Sequence, residues 1–341
     1  MQTVTFIPSE SIEVLAKQVE LAMGDHFGDG KQIAVKLHMG EYGNLHYLRP
    51  PIVGRVVEVL KEKGARPFLL DTPVLYGGPR GTAEGYLDVA RKNGFTAQSI
   101  GCPLVIAQQY AEVQTALRIG SVEIPQELLQ ADGLLVLSHF KGHPDAGFGG
   151  AIKNLGMGCV SVETKRKMHK ILSKPIVNQD QCTQCLTCVD TCPVKALALQ
   201  EGAVALDPER CWGCGACGEA CPEGAIGPAV ANLRELLAEA ASVVLGQLSE
   251  KPLLLVNALL DMTESCDCDP NPGKRIADDI GYLIAGSAVE IDKAAVDLVN
   301  EQLGKDFFRE RYAVDPLVQL KVAQSLGLGD LEYKLQKVEE P

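Results

Sequence analysis

Eight cysteines stand in two runs with the same spacing. The first is Cys182-x2-Cys185-x2-Cys188-x3-Cys192-Pro193 and the second is Cys211-x2-Cys214-x2-Cys217-x3-Cys221-Pro222. Thiolates are soft ligands, and three on one tight loop can grip three irons of an iron–sulfur cube. The fourth ligand must come from elsewhere in the chain. Pro193 and Pro222 can redirect the backbone just after the last cysteine of each run. Gly213 and Gly215 let the second loop wrap closely and offer N–H groups to sulfur. Zinc also takes paired Cys-x2-Cys units, but it needs four cysteines in two pairs, not two runs of four each followed by proline. Disulfides are not expected either, because the chain is long and packs these cysteines into one short segment. Two [4Fe–4S] clusters of one type are the expectation, working as an electron relay; a purely structural pair is the alternative.

In spacing, the segment resembles the bacterial two-cluster ferredoxins. That resemblance implies crossed ligation, the fourth cysteine of each run serving the other cluster. Cluster one would take Cys182, Cys185, Cys188 and Cys221. Cluster two would take Cys211, Cys214, Cys217 and Cys192. From Asp180 to Glu223 the only basic residues are Lys195 and Arg210, against Asp180, Asp190, Glu201, Asp207, Glu209, Glu219 and Glu223. Such a face could steer a basic redox protein partner. The plain alternative is a solvated surface.

A second set of chemical residues lies outside the segment. The stretch from His139 to Cys159 holds His139, His143, the glycines Gly147, Gly149 and Gly150, and Lys153; His169 follows after a basic run, Lys165 to Lys167. Glycines let a backbone approach a ligand, and successive N–H groups can cradle an anion. Lys153 would be a charge partner or an imine-forming amine. The Gly-Lys-Ser/Thr ending of a P-loop is missing. Each histidine, taken alone, also reads as a satisfied structural residue. Cys266-Asp-Cys268 forms an acidic thiol loop able to hold a soft metal, or simply two free cysteines. Cys102 and Cys159 read as small buried hydrophobes.

These residues need a scaffold, and the pattern around them supplies one. Gln32–Leu37, Pro67–Leu70, Pro103–Ala107, Gly133–Leu137, Pro252–Val256 and Ile280–Ile284 read as strands. Pro51–Lys63, Thr82–Lys92, Ile124–Gln130, Ala229–Leu245, Ile291–Leu303 and Asp315–Leu326 read as helices. Alternation of this kind predicts an α/β fold with a mostly parallel sheet flanked by helices. It is interrupted by the Cys-rich repeat and then resumes. The expected organisation is residues 1–177 and 229–341 as two parts of one α/β domain, with 178–228 as an inserted small ferredoxin-like α+β segment. Three consecutive domains are the alternative. The charged tail after Tyr333 is expected to fray. Ligands of open parallel sheets bind outside the carboxyl ends of the strands. His38, Asp71, His139, His143, Asn257 and Asp261 all fall there, which predicts a pocket.

The net charge of −12 over 341 residues argues against a general nucleic-acid binder. Leu253–Leu260, the most apolar later stretch, is too short to span a bilayer. The first thirty residues lack a basic start with an apolar run, so a cytoplasmic protein with no membrane partner is expected.

Taken whole, the chain resembles the family called domain of unknown function 362, often fused to a ferredoxin segment. The resemblance rests on His38-Met-Gly-Glu-Tyr-Gly-Asn44, Leu48-Arg-Pro50, Asp71-Thr-Pro, His139-Phe-Lys-Gly-His143, Gly147 to Gly158, Cys266-Asp-Cys268 and Ala288-Val-Glu-Ile-Asp292. It implies a fold and cluster content and names no substrate. A more distant resemblance is to the nickel-pincer lactate racemase family, carried by Leu48-Arg49-Pro50, His143, Gly149-Gly150-Ala-Ile-Lys153 and His169. Here the lysine sits one residue farther from the glycines, and His46 stands where that family has an aspartate. The resemblance implies a pocket of similar location, able to hold a phosphate-bearing ligand or a further metal.

Three readings follow. In the first, a redox enzyme passes electrons to a small-molecule ligand near His143, Lys153 and His169, with His38, Arg49, Asp71, His139, Gly149 and Gly150 helping to bind it. Here Lys153 anchors the ligand, His143 moves a proton or holds a metal, and Arg49 grips an anionic group. The second is a non-catalytic electron carrier or subunit. The third is metal or cofactor handling through Cys266 and Cys268.

Overall fold

The computed structural model describes residues 2–8 and 10–339. Its centre is an eight-stranded sheet. In chain order the strands are β1 (Gln2–Ile7), β2 (Gln32–Lys36), β3 (Arg66–Asp71), β4 (Leu104–Ile106), β5 (Gly133–His139), β6 (Leu253–Leu259), β7 (Gly281–Ala285) and β8 (Tyr333–Lys337). Their order across the sheet is β8-β1-β7-β6-β5-β2-β3-β4. Only β7 runs against its neighbours; every other adjacent pair is parallel. The fold is thus α/β with a mostly parallel sheet.

Strand alternation divides the core into two layers. Ile33, Val35, Leu135 and Leu137 face one layer; Ala34, Leu134 and Val136 face the other. Helices α1 (Ile12–Met23), α2 (Pro50–Glu62) and α3 (Ala83–Lys92) cover the first face. Helices α4 (Ala151–Gly156), α5 (Leu233–Gly246) and α6 (Ala288–Leu303) cover the second. Coverage on both sides explains why β5 is buried along its whole length and reads as a continuous apolar run.

The Cys-rich segment leaves and rejoins the sheet domain at one place. Pro175–Val177 pairs antiparallel with Ile226–Pro228, so the ends of the segment are stitched together. Between them lie a hairpin, Leu197–Gln200 with Ala203–Leu206, and two short helices, Thr187–Thr191 and Ala216–Glu219. Cys188, Leu197, Val204, Cys217 and Ile226 form a small core of their own.

Four sequence expectations are corrected. The tail does not fray at Tyr333: Tyr333–Lys337 adds an edge strand beside β1. Backbone pairing supplies the order that its charged side chains give no hint of. The helix expected from Ala229 begins at Leu233, where Asn232 and Glu235 form a reciprocal cap. Residues 229 and 230 instead bond the carbonyls of Lys174 and Leu172. The helix expected over Ile124–Gln130 covers only Gln126–Gln130, because Ile124 and Pro125 finish a hairpin strand. The helix expected over Asp315–Leu326 covers only Val318–Ser325. No helix among the described residues is long and apolar enough to cross a membrane.

Candidate functional site

The two cysteine runs share a backbone path. Gln184 and Gly213, two residues after the first cysteine of each run, both have positive φ, 56° and 73°. Leu186 and Gly215 match in the same way at 63° and 86°, and so do Lys195 and Gly224 at 51° and 60°. A side chain in this region is uncommon, and three in one loop mark a conformation imposed by the loop's task. Backbone N–H groups point at the thiols: Gly213 to Cys211 at 3.3 Å, Ala196 to Cys192 at 3.2 Å and Ala225 to Cys221 at 3.3 Å.

Neighbouring thiols are drawn from both runs. Burial raises the thiols of Cys211, Cys214 and Cys217, Cys214 to about 11 and Cys217 to about 12, and the nearby Cys192 thiol adds to each. Burial also raises Cys188, reinforced by Cys182 and Cys221. Cys192 thus lies near Cys211, Cys214 and Cys217, and Cys221 near Cys188. Cys185 is exposed, and the Thr187 hydroxyl lowers its pKa. Among the described residues, no three His, Cys, Asp or Glu side chains converge as they would on one ion. Ligands of a cube bind separate corner irons and stand farther apart than those of a single ion. Donor type, crossing and N–H···S contacts all fit a pair of cubes.

The second run is docked on the sheet domain. A Cβ on Gly213 would collide with Ser173 and with the His169 carbonyl. Arg234, fully buried on α5, reaches the carbonyls of Cys214 at 3.3 Å and Asp145 at 3.5 Å and pairs with Glu219. His169 lies in a π-helical turn, Lys167–Leu172, and its Nδ1 donates to the Trp212 carbonyl at 3.1 Å. Trp212 stands between Cys211 and Cys214. Burial lowers His169 below the usual histidine range, although Asp145 opposes this.

His169 also lines a cavity of about 220 Å3 at the carboxyl ends of β2, β3 and β5. Strand geometry places its wall. Lys36, on β2, pairs with Asp71, on β3, at 3.0 Å, both buried. Burial pushes Asp71 up, but Lys36 and His38 outweigh it and hold the carboxyl low. Lys36 also donates to Asn154 at 2.6 Å. Lys165 donates to Thr72 Oγ1 at 2.7 Å and to the Pro73 carbonyl. Burial brings Lys165 down to about 7, so this amine can exchange a proton near neutrality.

The histidines divide by what their rings already touch. Burial and then Arg80 lower His38 to about 3, and its Nε2 stands 2.6 Å from that guanidinium. His139 faces Asp267 at 2.8 Å and the Leu260 carbonyl at 2.6 Å, which occupies both ring nitrogens. Neither ring has a nitrogen left for a ligand. His143 Nδ1 accepts from the N–H groups of Asp145 and Ala146, both at 3.2 Å. Its Nε2 is thereby left to carry the proton, and the ring stands beside the Cys266 thiol and helps to lower it.

Cys266 and Cys268 both line the cavity. Lys153, on α4, places Nζ 3.6 Å from Cys266 Sγ. The Cys268 thiol, then Lys153 and His143, hold Cys266 well below the usual thiol range against its burial. Burial pushes Lys153 down, but the two thiols hold it above its ordinary value. A charged amine does not form imines, so of the two roles expected for Lys153 the structure supports charge partner. Asp267 turns away from the thiols, to His139 and to Lys141 at 3.0 Å.

Two expectations about anion binding are corrected. The N–H groups after Gly150 do not cradle a ligand: Ala151 and Ile152 donate to the Asp292 carboxylate at 2.7 and 2.9 Å. A Cβ on Gly150 would strike that carboxylate. Asn257 also donates to Asp292, at 2.8 Å, so it too is structural. Gly149 and Gly150 both line the cavity. Arg49 does not; it pairs with Asp261 at 2.9 Å beside a separate hollow behind His139. Sequence reasoning missed Lys36, Lys141, Lys165, Asp145 and Asp292. Lys36 lies in an apolar strand, and Lys165 in a short basic run to which no role was given.

A family model described as "Domain of unknown function (DUF362)" matches residues 33–297. "Uncharacterized ferredoxin MJ0155" of Methanocaldococcus jannaschii is 39% identical over 70 residues, 20% of this chain and 44% of that protein. "Thylakoid-associated protein sll1697" of Synechocystis is 26% identical over 152 residues, 43% of this chain and 44% of that protein. The chain thus spans less than half the length of either relative. The structure of the lactate racemase apoprotein from Thermoanaerobacterium thermosaccharolyticum aligns with 76% of this chain and 51% of its own, at TM-score 0.39 and 13% identity. A likeness of that level carries no chemistry across.

Proposed function

The chain belongs to the DUF362 family, and we propose that it is an iron–sulfur redox protein that delivers electrons to a small anionic ligand in the strand-end cavity. Cluster one would be held by Cys182, Cys185, Cys188 and Cys221, and cluster two by Cys211, Cys214, Cys217 and Cys192. When bound, the pair would supply single electrons. The observation that carries the reading is the Trp212 carbonyl on the His169 ring. It ties the second cysteine loop to a residue of the cavity wall. The ferredoxin name of one relative and the crossed thiol sets support it as well.

The two loops would take different tasks. Cys185 is exposed in the first, where an acidic surface can receive a basic protein partner. The second faces inward. In the cavity, Lys153 and Lys165 would hold the anionic ligand, and His143 or Lys165 would move protons.

The test is anaerobic. Protein reduced with dithionite and freed of excess reductant is mixed with small reducible anions, such as 2-oxo and 2,3-unsaturated carboxylates, and cluster reoxidation is followed by absorbance. At least one compound is expected to speed reoxidation in the wild type and not in Lys153→Ala, with equal cluster spectra in both proteins. Equal rates in the two proteins for every compound would reject the cavity as the destination.

A further inference from the structure

We propose that Cys266 and Cys268 form a reversible dithiol–disulfide couple in the wall of the cavity, reduced by electrons from the cysteine-rich segment. The electron source rests on the proposed function; the couple itself rests on the geometry of its loop.

An extended Cys-x-Cys would hold its Cα atoms roughly 7 Å apart, beyond the disulfide range of about 4.4–6.8 Å. This loop is not extended. Asp269 N–H bonds the Cys266 carbonyl at 2.8 Å, closing a turn around both cysteines. Asp267, between them, is engaged by His139 and Lys141 and does not itself line the cavity, whereas both thiols do. The two thiols are thereby left together on the cavity side. The loop is pinned from outside too: the Asp267 carbonyl accepts from Glu41 N–H at 2.9 Å, and the Asp269 carbonyl from Asn44 at 2.8 Å. Tyr76 donates to the Cys268 carbonyl at 3.2 Å.

The surroundings suit thiol chemistry better than a metal. His143 presents its N–H to Cys266, because its other nitrogen is occupied by two backbone amides. The Lys153 ammonium fills the other approach. No third ligand among the described residues converges on the pair. A cationic amine and an N–H donor beside one thiol are the features of an attacking thiolate.

The step balances as follows. In the oxidised form one S–S bond joins Cys266 and Cys268. Two electrons and two protons break it and leave two thiols. Electrons arriving singly are thus gathered into one two-electron carrier beside the ligand. Solvent in the cavity supplies both protons, and His143 and the Lys153 ammonium stand beside the Cys266 sulfur that receives one of them.

Anaerobically purified holoprotein is exposed to glutathione disulfide, alkylated, digested and weighed. After Cys221, Cys266 and Cys268 are the only cysteines in the chain, so one peptide reports on the pair alone. That peptide is expected to be lighter by two hydrogens and unalkylated, and to take up two alkyl groups after dithiothreitol. A parallel dithionite titration of oxidised protein is expected to consume two more electrons per chain than the Cys266→Ser/Cys268→Ser double variant. The proposal is overturned if both thiols alkylate after every oxidising treatment, if glutathione adds without ring closure, if a metal ion protects the pair, or if the two titrations match. A chain lacking cluster absorption would instead sink the proposed electron source, while the peptide mass still decides the couple.

Discussion

At the scale of single residues, the cavity is a set of buried charges that hold one another in place. Lys36 and Asp71 are the clearest pair, since both side chains are almost wholly buried. Asp71→Asn strands the Lys36 ammonium, and about 3–5 kcal/mol of stability should be lost in urea unfolding. Lys153 acts on a thiol, so its removal should show in thiol chemistry. Lys153→Ala removes the cation nearest Cys266, and the inflection in alkylation rate against pH should move up. An unmoved inflection would assign the reactive thiol to other neighbours. Asp292 has the opposite sign to Asp71. Burial raises it to about 6, from the usual 3.8. The folded chain therefore holds more protons than the unfolded chain between these values, and stability from this group declines as pH rises through the window. The stability of the wild type minus that of Asp292→Asn should fall from about pH 4 to 6, as read from unfolding at each pH. Much of this site was legible in residue type and position. His143, Lys153, His169, Cys266 and Cys268 do share one cavity. What sequence could not tell was which groups were already engaged. His139 and His38 look like ligands in a string of letters, but Asp267, Leu260 and Arg80 had claimed their ring nitrogens.

At the scale of elements, the glycines carry the lesson. Gly149 and Gly150 read as a place for a ligand to approach, and for Gly150 the approaching group is the chain's own Asp292 on α6. No local pattern could reveal that, because the partner lies about 140 residues away. The Ala288–Asp292 motif marked the position without explaining it. Gly213 is the counterpart in the second cysteine loop. Its positive φ and the nearness of Ser173 and His169 leave no room for a methyl group. Gly213→Ala should cost about 1–3 kcal/mol and lift that loop from the cavity wall. Cluster content would then be retained or fall, but transfer to a cavity ligand should slow relative to wild type. Unchanged stability and transfer would show that the docking is slack. The first loop adopts the same path with Gln184, Leu186 and Lys195, residues that give a reader no warning of positive φ. The repeat itself, visible in the cysteine spacing, was the stronger guide.

At the scale of the whole molecule, a parallel sheet sets its functional edge, and a stitched insert stands beside that edge. The alternation of strands and helices was readable because both faces of the sheet are covered and its strands are apolar. The edge strand β8 and its neighbour β1 were not, since their order comes from pairing across the chain ends rather than from their own composition. The account as a whole needs two iron–sulfur cubes in the insert, one outward and one against the cavity. Metal analysis of anaerobically purified protein, with EPR of the reduced form, tests this most directly. The prediction is about eight irons per chain and two magnetically coupled reduced clusters. Zinc in place of iron, or the uncoupled signal of a single cluster, would contradict it.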